Sequence, residues 1–284
     1  MSQLLSQGAG IGLRSIHYAH ILETLPKVPW FEVLTENYMG EGGMPIYYLE
    51  KIRQEYPITF HGVGMSLGSA DPLNMQYMKK LKTMIERYQP QQVSDHLSWI
   101  SVNQQYAHEL LPFPYNDQTL QHLCDKISAA QDYLGQYLLV ENPSSYMCFK
   151  QSDTSEWEFI NQLLQRTGCK LLLDVNNIYV SAYNTGLDAL KYIQLIDKES
   201  IAEVHLAGFE DRGTHYYDTH GSTIHADVWK LYQQLIDFSG PKATLVEWDT
   251  DIPDFNVLQE EAGKAQKIIN GYVYKSSLKQ VANL

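Results

Sequence analysis

A chain of 284 residues with 44% hydrophobic and 19% charged residues has ordinary globular composition and enough length for one large domain or two small ones. Its formal net charge of −12 argues against a long phosphate-tracking surface, and so against nucleic acid as a partner. No apolar run reaches the roughly 18 residues of a membrane span, and Met1 to Gly10 has neither a basic n-region nor an apolar h-region, so the chain is expected in the cytoplasm.

Short apolar runs alternate with longer amphipathic ones. Gly10 to Arg14 reads as a first strand, and His17 and His20 as polar residues on the first turn of a helix that stops near Pro26. Phe31 to Glu36 is the second strand, followed by Asn37, Tyr38 and a glycine-rich loop, Gly40 to Gly43. Met44 to Tyr56 is a helix closed by Pro57, and Ile58 to His61 is the third strand. From Asn74 to Tyr88 the apolar positions Met78, Leu81, Ile85 and Tyr88 have helical spacing. Val93 to Leu97 is the fourth strand, and a long loop runs from it through His108 to Pro114. Asn116 is a fitting N-cap for a helix to about Leu134.

Tyr137 to Asn142 is the fifth strand, Ser155 to Arg166 a helix with Gly168 suited to its C-terminus, and Lys170 to Asp174 the sixth strand. Val175 to Asn177 reads as a connection, Leu187 to Ile196 as helix and Ile201 to Leu206 as the seventh strand. Ala226 to Ile236 is helix, Ala243 to Glu247 the eighth strand, and Asn256 to about Tyr274 a last helix before a frayed tail. Residues 138–140 and 171–173 are continuously apolar, as parallel strands buried on both faces are. Eight β/α units in one chain of this length predict a single (β/α)8 TIM barrel domain over residues 1–284. A doubly wound open sheet is the weaker alternative, because no G-x-G-x-x-G follows the first strand.

In such a barrel, side chains at the carboxyl ends of the strands converge on one mouth. Those ends supply His61, His96, Glu141, Asp174, His205 and Glu247. The loops beyond add Asn177 and the pair Asp218 and His220, whose one-residue spacing puts both on one face of an extended segment. Taken singly, each is equally at home as a polar rim residue; His61 suits a hydrogen-bonded histidine and Asn177 a helix cap. Together they exceed the about four ligands of one zinc ion or the three of a facial iron triad, so two or three ions are the natural count. Imidazole and carboxylate without thiolate suit iron, zinc or manganese, and spacing does not choose among them. Cys124, Cys148 and Cys169 are far apart, form no C-x-x-C and fit reduced thiols.

The order His, His, Glu, Asp-x-x-Asn, His, Asp-x-His, Glu resembles the xylose-isomerase-like barrels. It is similar to the trinuclear zinc site of the endonuclease IV family, with Asn177 where that family has histidine. Closer still, Gly10-Ile-Gly-Leu-Arg14, Glu32 to Tyr38, His61-Gly-Val-Gly-Met-Ser66, Ser94-Asp-His-Leu-Ser98, Glu141-Asn142, Leu173-Asp-Val-Asn-Asn-Ile-Tyr-Val180, His205-Leu-Ala-Gly-Phe209, Asp218-Thr-His-Gly221 and Glu247-Trp-Asp249 resemble the multinuclear non-haem iron-dependent oxidases. That family includes the iron oxidase of methanobactin biosynthesis.

The resemblance implies two or three irons, and O2-dependent modification of side chains, often cysteine, in ribosomally made precursor peptides. It also implies a small partner protein that presents the peptide. By motif, Glu141, Asp174, His205 and Glu247 would hold a central iron. His61 and His96 would hold a second that shares Glu141, and Asn177, Asp218 and His220 a third. Glu36, Asp95, Asn142 and Asp249 are candidates to orient the histidines. Competing readings are a zinc hydrolase of the endonuclease IV kind, disfavoured by the charge, and a sugar isomerase with two divalent ions, disfavoured by the lack of a lysine at a strand end. A metal-binding scaffold without activity is the third, disfavoured by the intact ligand run.

Overall fold

The structure is a computed structural model and describes residues 8–103 and 105–282; most of the segment read for a leader, residues 1–7, lies outside them. Eight parallel strands close a barrel: β1 (Ala9–Gly12), β2 (Phe31–Leu34), β3 (Ile58–Gly62), β4 (Val93–His96), β5 (Leu139–Glu141), β6 (Lys170–Asp174), β7 (Ile201–Leu206) and β8 (Ala243–Val246). They follow one another around the ring in chain order, and β8 returns to pair with β1. This is the (β/α)8 barrel expected from the alternation of runs.

The helices on its outside are α1 (Tyr18–Thr24), α2 (Met44–Glu55), α3 (Met75–Tyr88), α4 (Asp117–Leu134), α5 (Glu156–Thr167), α6 (Val175–Thr185), α7 (Ala189–Leu195), α8 (Ala226–Ser239) and α9 (Phe255–Ala282). Several of their starts are set by side chains that satisfy free N–H groups. Asn74 accepts from Gln76 N and Tyr77 N, and Asn116 from Thr119 N. At α5, Ser155 N donates to Glu158 Oε2, and Gly168 closes the helix at φ 68°, where a side chain is disfavoured.

Several segments differ from the sequence expectation, among them the loop read after β7, where Glu210–Asp211 pairs with Tyr216–Tyr217. The stretch taken as a long loop after β4 is an antiparallel hairpin, Trp99–Val102 with Gln105–Leu111, whose long strand is mostly exposed. Its polar, exposed residues carry no apolar alternation to announce it. Val175–Asn177, read as a connection, is the first turn of α6, because Asp174 ends β6 and caps the helix through its own Oδ1. The last helix reaches Ala282 rather than fraying after Tyr274.

The apolar core fills the layer between strands and helices: Phe60, Val140, Leu171, Leu173 and Val204 all point into it. At the amino end of the barrel Trp30 lies across Gly10, where a Cβ would come within 2.4 Å of the indole, so only glycine admits the ring. Among the described residues no helix is long and apolar enough to cross a membrane.

Candidate metal centre

The strand ends do converge. His96, Glu141 and Asp174 end β4, β5 and β6, His61 and His205 stand next to last in β3 and β7, and Glu247 lies directly beyond β8; His61, Glu141, Asp174 and His205 have 0% exposure. Neighbouring strands put Glu141 level with His96, and His205 level with Asp174. One donor atom from each of Glu141, Asp174, His205 and Glu247 fits within 4.8 Å of the others, and the same holds for His61, His96 and Glu141.

The two histidines beside Glu141 are held in a defined tautomer. Ser94 Oγ donates to Phe60 O at 3.2 Å, so at 2.8 Å it accepts from His61 Nδ1–H. His96 Nδ1 lies 3.0 Å from Gly62 O, which only accepts. In both neutral rings Nε2 therefore carries the lone pair. Each Nε2 is 3.0 Å from Glu141 Oε2. Yet His61 Nε2 and both Glu141 oxygens are buried without a hydrogen bond, as are Asp174 Oδ2, Asn177 Oδ1 and His220 Nε2. Lone pairs converging in a dry interior need positive charge between them, and a metal ion or protons can supply it. The donor set therefore fits metal ions.

The electrostatics agree. Burial opposes charge on His61, but Glu32 and Glu141 outweigh it and raise its pKa to about 10. Burial likewise opposes charge on His205 and His220, and the carboxylates around each still hold it well above its ordinary value. Burial drives Asp174 up, whereas Glu247, despite burial, is held well below its usual range by His205 and His220. This is a field that favours bound cations.

His220 completes the outer side. Its Nδ1 faces Glu247 Oε2 at 3.1 Å and Asp249 Oδ2 at 3.2 Å, and its Nε2 faces Asp218 Oδ1 at 2.8 Å. Its backbone sits at φ 46°, a costly value for a non-glycine residue, and Asp249 N donates to its carbonyl at 2.7 Å. Asp249 is fixed in turn by Arg14, whose Nη2 donates to it at 2.5 Å. Asp218 also accepts from Asn176 Nδ2 at 2.8 Å. Asn177 lies on the first turn of α6, its Nδ2 donating to Asn142 O.

Of the residues expected to orient histidines, Asp249 meets His220 and Asn142 brackets the backbone of Asp174. Glu36 and Asp95 do something else: they accept from the amides of Val63, Gly64 and Met65 and so pin the loop after β3. His17 is remote from the cluster, bonded to Pro253 O and edge-on to Phe255. The sequence reading missed Ser94, Asn176 and two buried glutamates, Glu32 on β2 and Glu203 on β7, both at 0% exposure. For Glu203 a signal was present: it precedes His205 by two residues and so shares its face of the strand.

Comparison with known proteins follows the same lines. A UPF0276 protein of Acaryochloris marina is 52% identical over 259 residues, covering 91% of this chain and 94% of that one. Among solved structures, a D-psicose 3-epimerase from Clostridium cellulolyticum, crystallised with D-tagatose, superposes at TM-score 0.61 with 10% identity, covering 93% of this chain and 99% of that one. Endonuclease IV from Thermus thermophilus does so at 0.57 with 14% identity, covering 94% and 99%. At such identities they establish the xylose-isomerase-like barrel fold alone. The model of the RiPP precursor modification enzymes MbnB/TglH/ChrH matches residues 8–270, and the chain belongs to that family of enzymes.

Proposed function

We propose that this enzyme is an O2-dependent oxidase that uses two or three non-haem irons to modify a cysteine, or another side chain, of a ribosomally made precursor peptide. The observation that carries the metal part is the pair of imidazole lone pairs, His61 Nε2 and His96 Nε2, aimed at one unpartnered carboxylate oxygen of Glu141. Family membership supports the peptide part.

Glu141, Asp174, His205 and Glu247 would hold a central iron, His61 and His96 a second with Glu141 shared, and Asn177, Asp218 and His220 a third. Zinc and manganese suit the same donors, and iron is chosen for the redox chemistry. Bound there, iron would supply the site for a substrate thiolate and the electrons for O2 reduction. The chain's own residues supply shape and access. His61, Glu141 and His205 are sealed from water, whereas the side chains of His96, His220 and Asp218 keep 11%, 10% and 15% exposure. The substrate side chain would approach across that outer side. A small peptide-presenting partner protein belongs to this reading on the family resemblance.

Anaerobic loading with iron(II), elemental analysis and oxygen uptake with a cysteine-containing precursor peptide test the proposal. Expected are two or three irons per chain, a visible absorption band on adding the peptide, and O2 consumption that requires it. Zinc as the only retained metal, with no oxygen uptake, would overturn it.

A further inference from the structure

Beneath the proposed metal centre the barrel holds two carboxylates that none of the assigned ligand positions uses. Glu32 on β2 and Glu203 on β7 point into the closed interior, where a TIM barrel ordinarily packs branched apolar residues. Both are fully buried. Glu203 has no hydrogen-bond partner on either oxygen, and Glu32 has none on Oε1. What they share is one ring nitrogen: His205 Nε2 lies 3.2 Å from Glu32 Oε2, in hydrogen-bonding geometry, and 3.6 Å from Glu203 Oε1. The opposite nitrogen, His205 Nδ1, faces the cluster at 3.0 Å from Glu247 Oε2 and 3.7 Å from Glu141 Oε1.

A neutral imidazole has one N–H and one lone pair. Carboxylates only accept, and they stand on both sides of this ring; a metal ion bound beside Glu141 and Glu247 would take Nδ1, and the glutamates below would then hold the N–H at Nε2. We propose that Glu32 and Glu203 are positioning residues of the metal centre: they fix the tautomer and ring plane of His205 so that Nδ1 is offered to the metal. Their charge also makes that nitrogen a stronger donor. Glu32 is the direct hydrogen-bond partner, and Glu203 adds negative charge to the same side. The pair costs stability without metal, since buried carboxylates with missing partners are unfavourable. That gives the role a signature distinct from a framework role.

This inference rests on the metal reading above, and wild-type protein measured alongside separates the two. Glu32→Gln and Glu203→Gln keep size and an acceptor but remove the charge. In each, iron(II) affinity measured by anaerobic titration falls about 10- to 100-fold, the Mössbauer parameters of the bound iron shift, and the metal-free protein melts at or above the wild-type temperature. Glu32→Leu, which also removes the acceptor, loses more affinity than Glu32→Gln. Wild-type affinity and an unchanged spectrum in both glutamine variants overturn the proposal while the metal reading stands. So does a melting temperature that falls together with affinity, the mark of a framework role. Loss of a single metal equivalent with the remaining ions bound as in wild type also overturns it, in favour of a further cation between Glu32 and Glu203. A wild-type protein that takes up no iron overturns both readings.

Discussion

Along β3, Phe60 enters the apolar layer under the helices, while His61 and Thr59 turn inward; along β7, Val204 and Leu206 face outward, and Glu203 and His205 inward. The outer face is a continuous hydrophobic core with ordinary side-chain packing. The inner face toward the carboxyl end is crowded with imidazoles and carboxylates, many without partners. Strand alternation places these environments one residue apart in sequence. The lesson is that one face holds the barrel together, and the other is kept electrostatically unsatisfied by the rigidity the first provides.

The sharpest way to separate the faces is a pair of truncations. Glu141→Ala removes the carboxylate that both His61 Nε2 and His96 Nε2 face. Loss of a residue that merely supports a ligand costs 10- to 100-fold in metal affinity, so loss of this one lowers iron affinity by on the order of 100-fold or more, measured by anaerobic titration. Phe60→Ala, one residue from His61, empties space against Tyr88 on α3. It destabilises the fold by about 3–5 kcal/mol in urea unfolding, and the protein that stays folded binds iron as the wild type does. If Phe60→Ala changed the iron stoichiometry of folded protein, the two faces would not be independent.

A third, smaller effect compares buried carboxylates. Glu156 on α5 lies outside the barrel and, unlike Glu203, has both oxygens bonded, to Tyr115 Oη at 3.0 Å and Tyr192 Oη at 2.9 Å. Burial still raises its pKa from 4.5 to about 7, the tyrosine hydrogen bonds opposing only part of the shift. An unfolded chain releases this proton first, so between those pH values the folded state binds more protons, and its stability falls as pH rises. At 1.36 kcal/mol per pKa unit the loss approaches about 3 kcal/mol. Glu156→Gln removes that component of the pH dependence, which wild-type and variant melting curves between pH 4.5 and 7 would show. An unchanged pH profile in the variant would mean that the two tyrosines keep Glu156 ionised.

Much of this was legible in the sequence. The strands were visible because a parallel barrel buries both strand faces, leaving apolar runs such as 171–173 that stop at a polar residue. The same rule brought out the candidate site, since the donor atoms of the stopping residues His61, His96, Glu141, Asp174, His205 and Glu247 come together at the mouth. Caps at Asn116 and Gly168 were readable because their hydrogen bonds are local.

What the amino-acid order determined by itself is the alternation of elements, and hence the closed barrel, together with the residue types at its mouth. Only the tertiary structure decided which nitrogen of each histidine faces inward, and it did so through partners distant in the chain, Ser94 for His61 and Gly62 for His96. It alone showed that Glu32, 173 residues from His205, lies against that ring. The reason is physical: strand ends are set by local polarity, but a side chain in the middle of a strand gains its meaning from whichever strand closes the ring opposite it.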